Sequence, residues 1–312
     1  MPEKTADLWW LFTRQTVSAT QDESVLKAAI LMQRRNFRHL PVITEAGRRL
    51  DGVVSAQDII DSVSLALGPH TESAEILKSL DIPIHRIMSL HPIVVEKGDG
   101  LEEVAKKLIT HNIGALPVVD EMGMVQGIIT LRDLVGLLGT GSEPLGVKVS
   151  EIMTRKITTI NADASLAEAV HLMSESRVRR LPIFSPNTTI PLGMLTNKDI
   201  LRLLAKIDGG LRGTEKGNSS ELEPQDFKTK ISEIMARDVI AVDADDDIRI
   251  AASRMMIFGI GGLAVQTPGS PGQIQGLVTE RDLIKRLSTV RSVSFLVESM
   301  KFELEVQKQY SN

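Results

Sequence analysis

The 312-residue chain contains no cysteine, which excludes disulfides, thiolate catalysis and Cys-type metal sites. No apolar run approaches the roughly 18 residues needed to span a bilayer, so no membrane partner is expected. The opening stretch MPEKTADLWWLFTRQ sets acids ahead of a short apolar cluster, unlike a secretory signal, and a cytoplasmic protein is the expectation. A basic excess is also missing: the net charge of −4 and pI near 5.9 disfavour nucleic acid as a general partner. The chain has no G-x-x-x-x-G-K-[ST], H-E-x-x-H or G-x-S-x-G motif. Its six histidines are scattered without metal-ligand spacing. No catalytic residue and no metal site is therefore expected. GIGGLAV (Gly259 to Val265) follows a helical pattern rather than a strand, the wrong context for a dinucleotide loop.

What is present is a repeat. Aligning the chain on LP at Pro41, Pro117 and Pro182 and on LA at Ala264 places Ser24, Gly100, Ser165 and Asp247 at one offset, three of them plausible helix caps. An apolar stripe at i, i+3, i+4, i+7 follows each: Val25, Ala28, Ala29, Met32 in the first copy and Ile248, Ala251, Ala252, Met255 in the fourth. That spacing predicts a helix with one buried face. An extended segment precedes each helix, and a short apolar strand follows it. A Gly-led strand then runs into a second helix: GVVSAQD, GIITLRD, GMLTNKD and GLVTERD. The expectation is an α/β (α+β) fold of four β-α-β-β-α repeats at 6–68, 82–140, 147–207 and 229–290. Between them lies a flexible insertion at 208–228, rich in Gly, Ser and charge, and a tail follows at 291–312, where Phe295, Leu296 and Met300 would suit an amphipathic helix. Copies of some 55 to 60 residues are marginal alone, so packing in two pseudo-symmetric pairs, disk-like, is expected. The basic pairs Arg38, His39 and Arg179, Arg180 occur only in copies one and three, which suggests pairs 1–2 and 3–4.

The repeat resembles the CBS domain, and four in tandem resemble two Bateman modules, the architecture of the nucleotide-sensing gamma regulatory subunits of AMP-activated protein kinases. The resemblance covers about residues 6–290. It rests on IM(T/S/A) opening three copies, the LP strand, and G-h-h-[ST]-x-x-D before the last helix. The first copy departs with LFT in place of IM, and the fourth has Ala264 for proline. The resemblance implies a non-catalytic regulatory protein that binds AMP, ADP or ATP in clefts between paired repeats and relays occupancy to a regulated protein. No catalytic cofactor is implied, and a homodimer through the CBS modules is compatible with it. S-adenosyl methionine or nucleic acid as ligand, or a scaffold without ligand, are the alternatives; LWWLF (Leu8 to Phe12) would serve a scaffold as an interface.

Carried onto this chain, the resemblance assigns the ribose to Asp58, Asp133, Asp199 and Asp282 and the turn hydroxyls to Ser55, Thr130, Thr196 and Thr279. The base would lie against Thr16, Val17 and Phe37; Pro92, Ile93 and Ile113; Met153, Ile157, Thr158 and Val178; and Met235, Val239, Ile240 and Ile260. Each acid would serve a wall from the partner repeat. Phosphate would meet Arg38, His39, Arg179, Arg180, Arg132, Lys198 and Arg281. The chemistry suits a nucleotide, because one carboxylate can accept from two adjacent ribose hydroxyls and a helix start favours phosphate. The competing reading is that Ser/Thr-x-x-Asp is a capping box and nothing more.

Overall fold

The computed structural model describes residues 12–13, 16–44, 49–68, 70–96, 98–140, 143–185, 188, 190–211 and 226–290. Leu8–Leu11, the central part of the 208–228 insertion and the 291–312 tail lie outside the described residues.

The first repeat runs β1 (Ala19–Thr20), α1 (Val25–Arg35), β2 (His39–Ile43), β3 (Leu50–Ser55) and α2 (Ala56–Ala66). After α3 (Ser73–Ser79) and β4 (Ser89–Leu90), the second comprises α4 (Leu101–Thr110), β5 (Ala115–Val119), β6 (Val125–Thr130) and α5 (Leu131–Thr140). The third has β7 (Ile160–Asn161), α6 (Leu166–Glu175), β8 (Arg180–Phe184), β9 (Gly193–Thr196) and α7 (Asn197–Leu211). The fourth has β10 (Ala241–Asp243), α8 (Ile248–Ile257), β11 (Gly262–Thr267), β12 (Ser270–Thr279) and α9 (Glu280–Val290). In each repeat the leading strand pairs parallel to the second, which pairs antiparallel to the third; in the second repeat a single bridge, Val95 to Val118, stands for the leading strand. The predicted stripes are buried: Val25, Ala28, Ala29 and Met32 on α1, and Ile248, Ala251, Ala252 and Met255 on α8. Serine caps α1 and α6 through Ser24 and Ser165, and Asp247 caps α8, as their positions predict.

The chain divides into two compact units. An odd unit holds 17–92 and 158–239, the first and third repeats. An even unit holds the described residues up to Thr16, 93–157 and those from Ile240 on, the second and fourth repeats. In the odd unit α1 packs on α7 and α2 on α6; in the even unit α5 packs on α8 and α4 on α9. The pairing of consecutive repeats expected from the basic residues is thus not the grouping of the helix cores. Consecutive repeats are linked instead by exchange of their leading segments. Thr13 bridges Ile128, β4 pairs with β3, Thr154 bridges Leu277, and Ala236 bridges Met194.

Two joins are more ordered than their composition suggests. Residues 62–84, expected to be a connector, contain α3, whose Ile76 and Leu77 are buried with Leu80. The insertion expected from 208 is helical through Leu211 as the end of α7. On its far side Phe227 is buried, and its carbonyl accepts from the Ala167 N–H at 2.9 Å. The same device appears at α1, where Val25 and Leu26 donate to the carbonyls of Ile82 and Leu80. Each join thereby satisfies N–H groups that a helix start leaves without intrahelical partners.

Candidate functional site

The four hydroxyl–acid turns adopt one geometry. Oδ2 of Asp58 accepts from the Ser55 N–H at 2.7 Å and the Ser55 hydroxyl at 2.8 Å. For Asp133 and Thr130 the distances are 2.6 and 2.8 Å, for Asp199 and Thr196 2.8 and 2.7 Å, and for Asp282 and Thr279 2.8 and 2.6 Å. The acid's half of the capping box therefore holds at all four helix starts, since each carboxylate takes up the preceding hydroxyl residue's N–H, and the Asp58 N–H donates back to the Ser55 hydroxyl at 3.3 Å to complete the box at the first. It consumes one carboxylate oxygen only. Among the described residues, Oδ1 of Asp58, Asp133 and Asp282 accepts no hydrogen bond, while Oδ1 of Asp199 lies 3.2 Å from Arg202 Nη1. Capping and ligand binding are compatible in one side chain.

Two of these acids resist ionisation. Burial pushes Asp133 above the ordinary carboxylate range, opposed by the two Thr130 hydrogen bonds; Glu280 raises it further and Arg132 lowers it. Burial likewise raises Asp58, opposed by its bonds from Ser55, with Asp61 raising and Arg177 lowering it.

The partner's leading segment docks onto the strand that feeds each turn. Thr154 and Leu277 exchange N–H···O bonds of 2.8 and 3.0 Å, two residues before Thr279; Met194 and Ala236 exchange bonds of 2.9 and 3.2 Å, two residues before Thr196. Thr13 and Ile128 do the same before Thr130, at 3.1 and 3.3 Å. Met88, Met153, Met235 and Phe12, all at one repeat offset, press against Gly52, Gly276, Gly193 and Gly127 respectively. The first repeat's departure from IM is thus the same contact made by an aromatic ring. The structure places Met153 and Ile157 in the even unit with Thr279 and Asp282, and Met235 and Val239 in the odd unit with Thr196 and Asp199. Thr16 shares the even unit with Thr130 and Asp133, and Pro92 shares the odd unit with Ser55 and Asp58. The remaining base-binding candidates of each set, Val17 and Phe37, Ile93 and Ile113, Thr158 and Val178, Ile240 and Ile260, lie in the other unit from their acid. Met153 is buried and the other base-binding candidates are partly buried.

Four of those candidates owe their position to a cap that the repeat alignment does not single out. Asn36, Asn112, Arg177 and Gly259 end the first helix of each repeat with φ of 57°, 55°, 51° and 64°. The next residue, Phe37, Ile113, Val178 or Ile260, returns its N–H to the carbonyl of Met32, Leu108, Met173 or Met255 at 2.9 to 3.1 Å. This is a Schellman motif, and the Asn, Asn and Gly at one offset were its signal. Left-handed geometry costs a non-glycine residue roughly 1–2 kcal/mol, and glycine's looser unfolded chain offsets roughly 0.5–1 kcal/mol of that. Arg177→Gly is therefore expected to stabilise the protein by ~0.5–1 kcal/mol, read as a raised urea midpoint; a lowered midpoint would contradict the cap.

The basic candidates separate. Arg38, His39, Arg179 and Arg180 all fall in the odd unit, partly buried. His39 stands directly across the ladder from Ser55, and Arg180 from Thr196; the even unit has Ala115 across from Thr130 and Gly262 across from Thr279. Arg132 of the phosphate set is already engaged within the even unit. Its Nε donates to buried Glu280 at 3.1 Å and its Nη1 to the Gly259 carbonyl at 3.0 Å, so its charge balances a buried carboxylate inside the even unit. Lys198 Nζ donates to Asn36 Oδ1 at 2.6 Å. Arg281 keeps a buried Nη1 with no hydrogen-bond partner, and burial lowers its pKa against the pull of Asp282. Among the described residues no acidic or histidine cluster could hold a metal, and no helix is long and apolar enough to cross a membrane.

The CBS-domain family model matches residues 7–65, 84–139, 149–206 and 231–289. The chain belongs to the CBS-domain family. It is 34% identical over 282 residues to an uncharacterised 33.4 kDa protein in a ribosomal RNA operon of Thermofilum pendens, covering 89% of this chain and 90% of that one. The crystal structure of protein MJ1225 of Methanocaldococcus jannaschii, put forward as an archaeal homologue of the AMP-activated kinase gamma subunit, superposes with a TM-score of 0.75 at 24% identity, over 90% of this chain and all of that one. The CBS-domain protein also matches an L-aspartate semialdehyde sulfurtransferase of the same organism, 33% identical over 127 residues but over only 24% of that enzyme.

Proposed function

We propose that this CBS-domain protein is a non-catalytic regulator that binds adenine nucleotides, AMP, ADP or ATP, and relays their occupancy to a partner protein. One observation carries the reading: at Asp58, Asp133 and Asp282 a single carboxylate oxygen makes the cap and its twin accepts no hydrogen bond, while at Asp199 the twin lies 3.2 Å from Arg202 Nη1. A cap alone needs no second oxygen. A ribose diol does, since its two adjacent hydroxyls need acceptors, and charge-assisted bonds of that kind contribute roughly 1.5–3 kcal/mol each. On this reading Asp58, Asp133, Asp199 and Asp282 hold ribose, and the hydroxyls of Ser55, Thr130, Thr196 and Thr279 orient them. Arg281 and the odd unit's Arg38, His39, Arg179 and Arg180 meet phosphate. The leading-segment residues that share a unit with each acid receive the base: Met153 and Ile157 beside Asp282, Met235 and Val239 beside Asp199, Thr16 beside Asp133 and Pro92 beside Asp58. The overlap with the sulfurtransferase spans about a quarter of that enzyme, 24%.

The test is a thermal-shift and calorimetric panel of adenine and guanine nucleotides, with S-adenosyl methionine, on the native chain and on Asp58→Ala, Asp133→Ala, Asp199→Ala and Asp282→Ala. Adenine nucleotides should raise the melting temperature, and loss of the acid at an occupied site should weaken binding there about 10- to 100-fold. Loss of a cap alone costs ~0.5–2 kcal/mol of stability without touching affinity. Native affinity in all four variants would defeat the ribose assignment, and binding of S-adenosyl methionine alone would replace the ligand.

A further inference from the structure

The residue three positions after each acid neighbours it on the helix surface. Asp61, Gly136, Arg202 and Lys285 hold that position in the four repeats. Asp61 turns elsewhere, accepting from Gln57 Nε2 at 3.0 Å and from the Ser174 hydroxyl at 2.8 Å. Gly136 brings no side chain. Among the described residues, Arg202 alone of the four closes on its acid, with Nη1 3.2 Å from Asp199 Oδ1. A carboxylate offers about four lone-pair sites, two on each oxygen. At Asp58, Asp133 and Asp282 the N–H and hydroxyl of the turn residue fill Oδ2, which leaves both sites on Oδ1 for the two hydroxyls of a ribose. At Asp199 the same two donors take Oδ2 and Arg202 stands on Oδ1, so a diol meets too few acceptors there.

We infer that Arg202 sets the affinity of the third repeat's seat by competing with ribose for Asp199. The inference rests on the ribose reading above and adds to it which of the four seats is held closed, and by what. The latch is built to open. The Arg202 side chain is 55% exposed whereas that of Asp199 is 13% exposed, so the guanidinium can swing into solvent while the acid stays fixed by its cap. An exposed ion pair of this kind is weak, and a ribose that takes both sites on Oδ1 replaces it. The displacement is a cost that this seat alone carries, so it needs more nucleotide to fill than it would with a neutral residue at position 202. Seats of unequal affinity spread a response over a wider range of nucleotide concentration than equal ones.

Asparagine keeps the oxygen that makes the cap and gives ribose a donor in place of an acceptor. Asp58→Asn, Asp133→Asn and Asp282→Asn together should therefore leave Asp199 as the one native seat of the full chain. In that background, calorimetry with AMP should show binding tightened about two- to fivefold by Arg202→Gln, the range of an exposed ion pair. In the otherwise native chain, Arg202→Gln alone should tighten one phase of AMP binding by the same factor, a second reading should the triple variant fold poorly. Unchanged or weaker AMP binding in Arg202→Gln would overturn the proposal, the weaker result by putting Arg202 on the phosphate. Asp199→Ala in the same background keeps the two readings apart. Loss of AMP binding there, with Arg202→Gln without effect, removes the latch alone; native affinity removes the ribose assignment and this proposal with it.

Discussion

Gly193→Val is expected to destabilise the protein by about 3 kcal/mol or more, the upper range for forcing volume into a packed site. A Cβ at residue 193 would stand 2.5 Å from the Ala236 carbonyl oxygen and 2.8 Å from Met235 Sδ. The methionine can swing aside. The carbonyl cannot, because Ala236 and Met194 hold each other through paired backbone bonds. The leading segment of the fourth repeat must therefore lift off β9, losing that bridge along with the Met235 contact. Urea denaturation should show the drop, and limited proteolysis should open new cleavage near Met235, the segment that has lost its ladder. A control at Gly146, whose added Cβ would meet nothing within 4 Å, still carries the strain of φ +71° and should cost only the left-handed penalty of roughly 1–2 kcal/mol. Equal effects at the two positions would mean that close approach is not what Gly193 provides.

That contact also explains what could and could not be read from the chain. The stripes on α1, α4, α6 and α8 declared themselves because helical period and burial coincide. The IM and Gly-led motifs were visible as recurrences, but a recurrence does not say that one is the other's socket; Gly193 and Met235 belong to different repeats and meet only across a strand exchange. The grouping of repeats into odd and even units was illegible for a related reason. A stripe such as Val25, Ala28, Ala29, Met32 states which face is buried and is silent about which helix buries it. α3 escaped because seven residues are too few to establish a period. Arg132 was singled out by its sequence neighbour Asp133, whereas its ion pair with Glu280, 148 positions away, could not be read from the chain. The left-handed ends at Asn36, Asn112, Arg177 and Gly259 were within reach of the alignment, and the arginine among them hid the pattern.

Asp133→Asn should separate cap from socket by moving stability and affinity in opposite directions. An asparagine keeps one carbonyl oxygen, enough to accept from the Thr130 N–H and hydroxyl now bonded at 2.6 and 2.8 Å, so the cap survives. Its other atom becomes an NH₂ donor, which cannot accept from a ribose hydroxyl. The buried carboxylate has a folded pKa raised by desolvation. Such a group favours folding fully below its unfolded pKa, and that contribution is lost as pH rises through the folded pKa. Above its folded pKa the native aspartate is therefore ionised at a cost, and removing its charge should raise apo stability there. The variant's stability should also fall less than the native protein's as pH rises from about 4 to 7, a range that brackets ordinary carboxylate titration. Nucleotide affinity at that turn should weaken about 10- to 100-fold, the equivalent of one lost charge-assisted bond. Chemical denaturation across pH and calorimetry on the same variant give both readings. A carboxylate kept only as a cap predicts a more stable variant with native affinity, and that result would leave the second oxygen of Asp133 without a function.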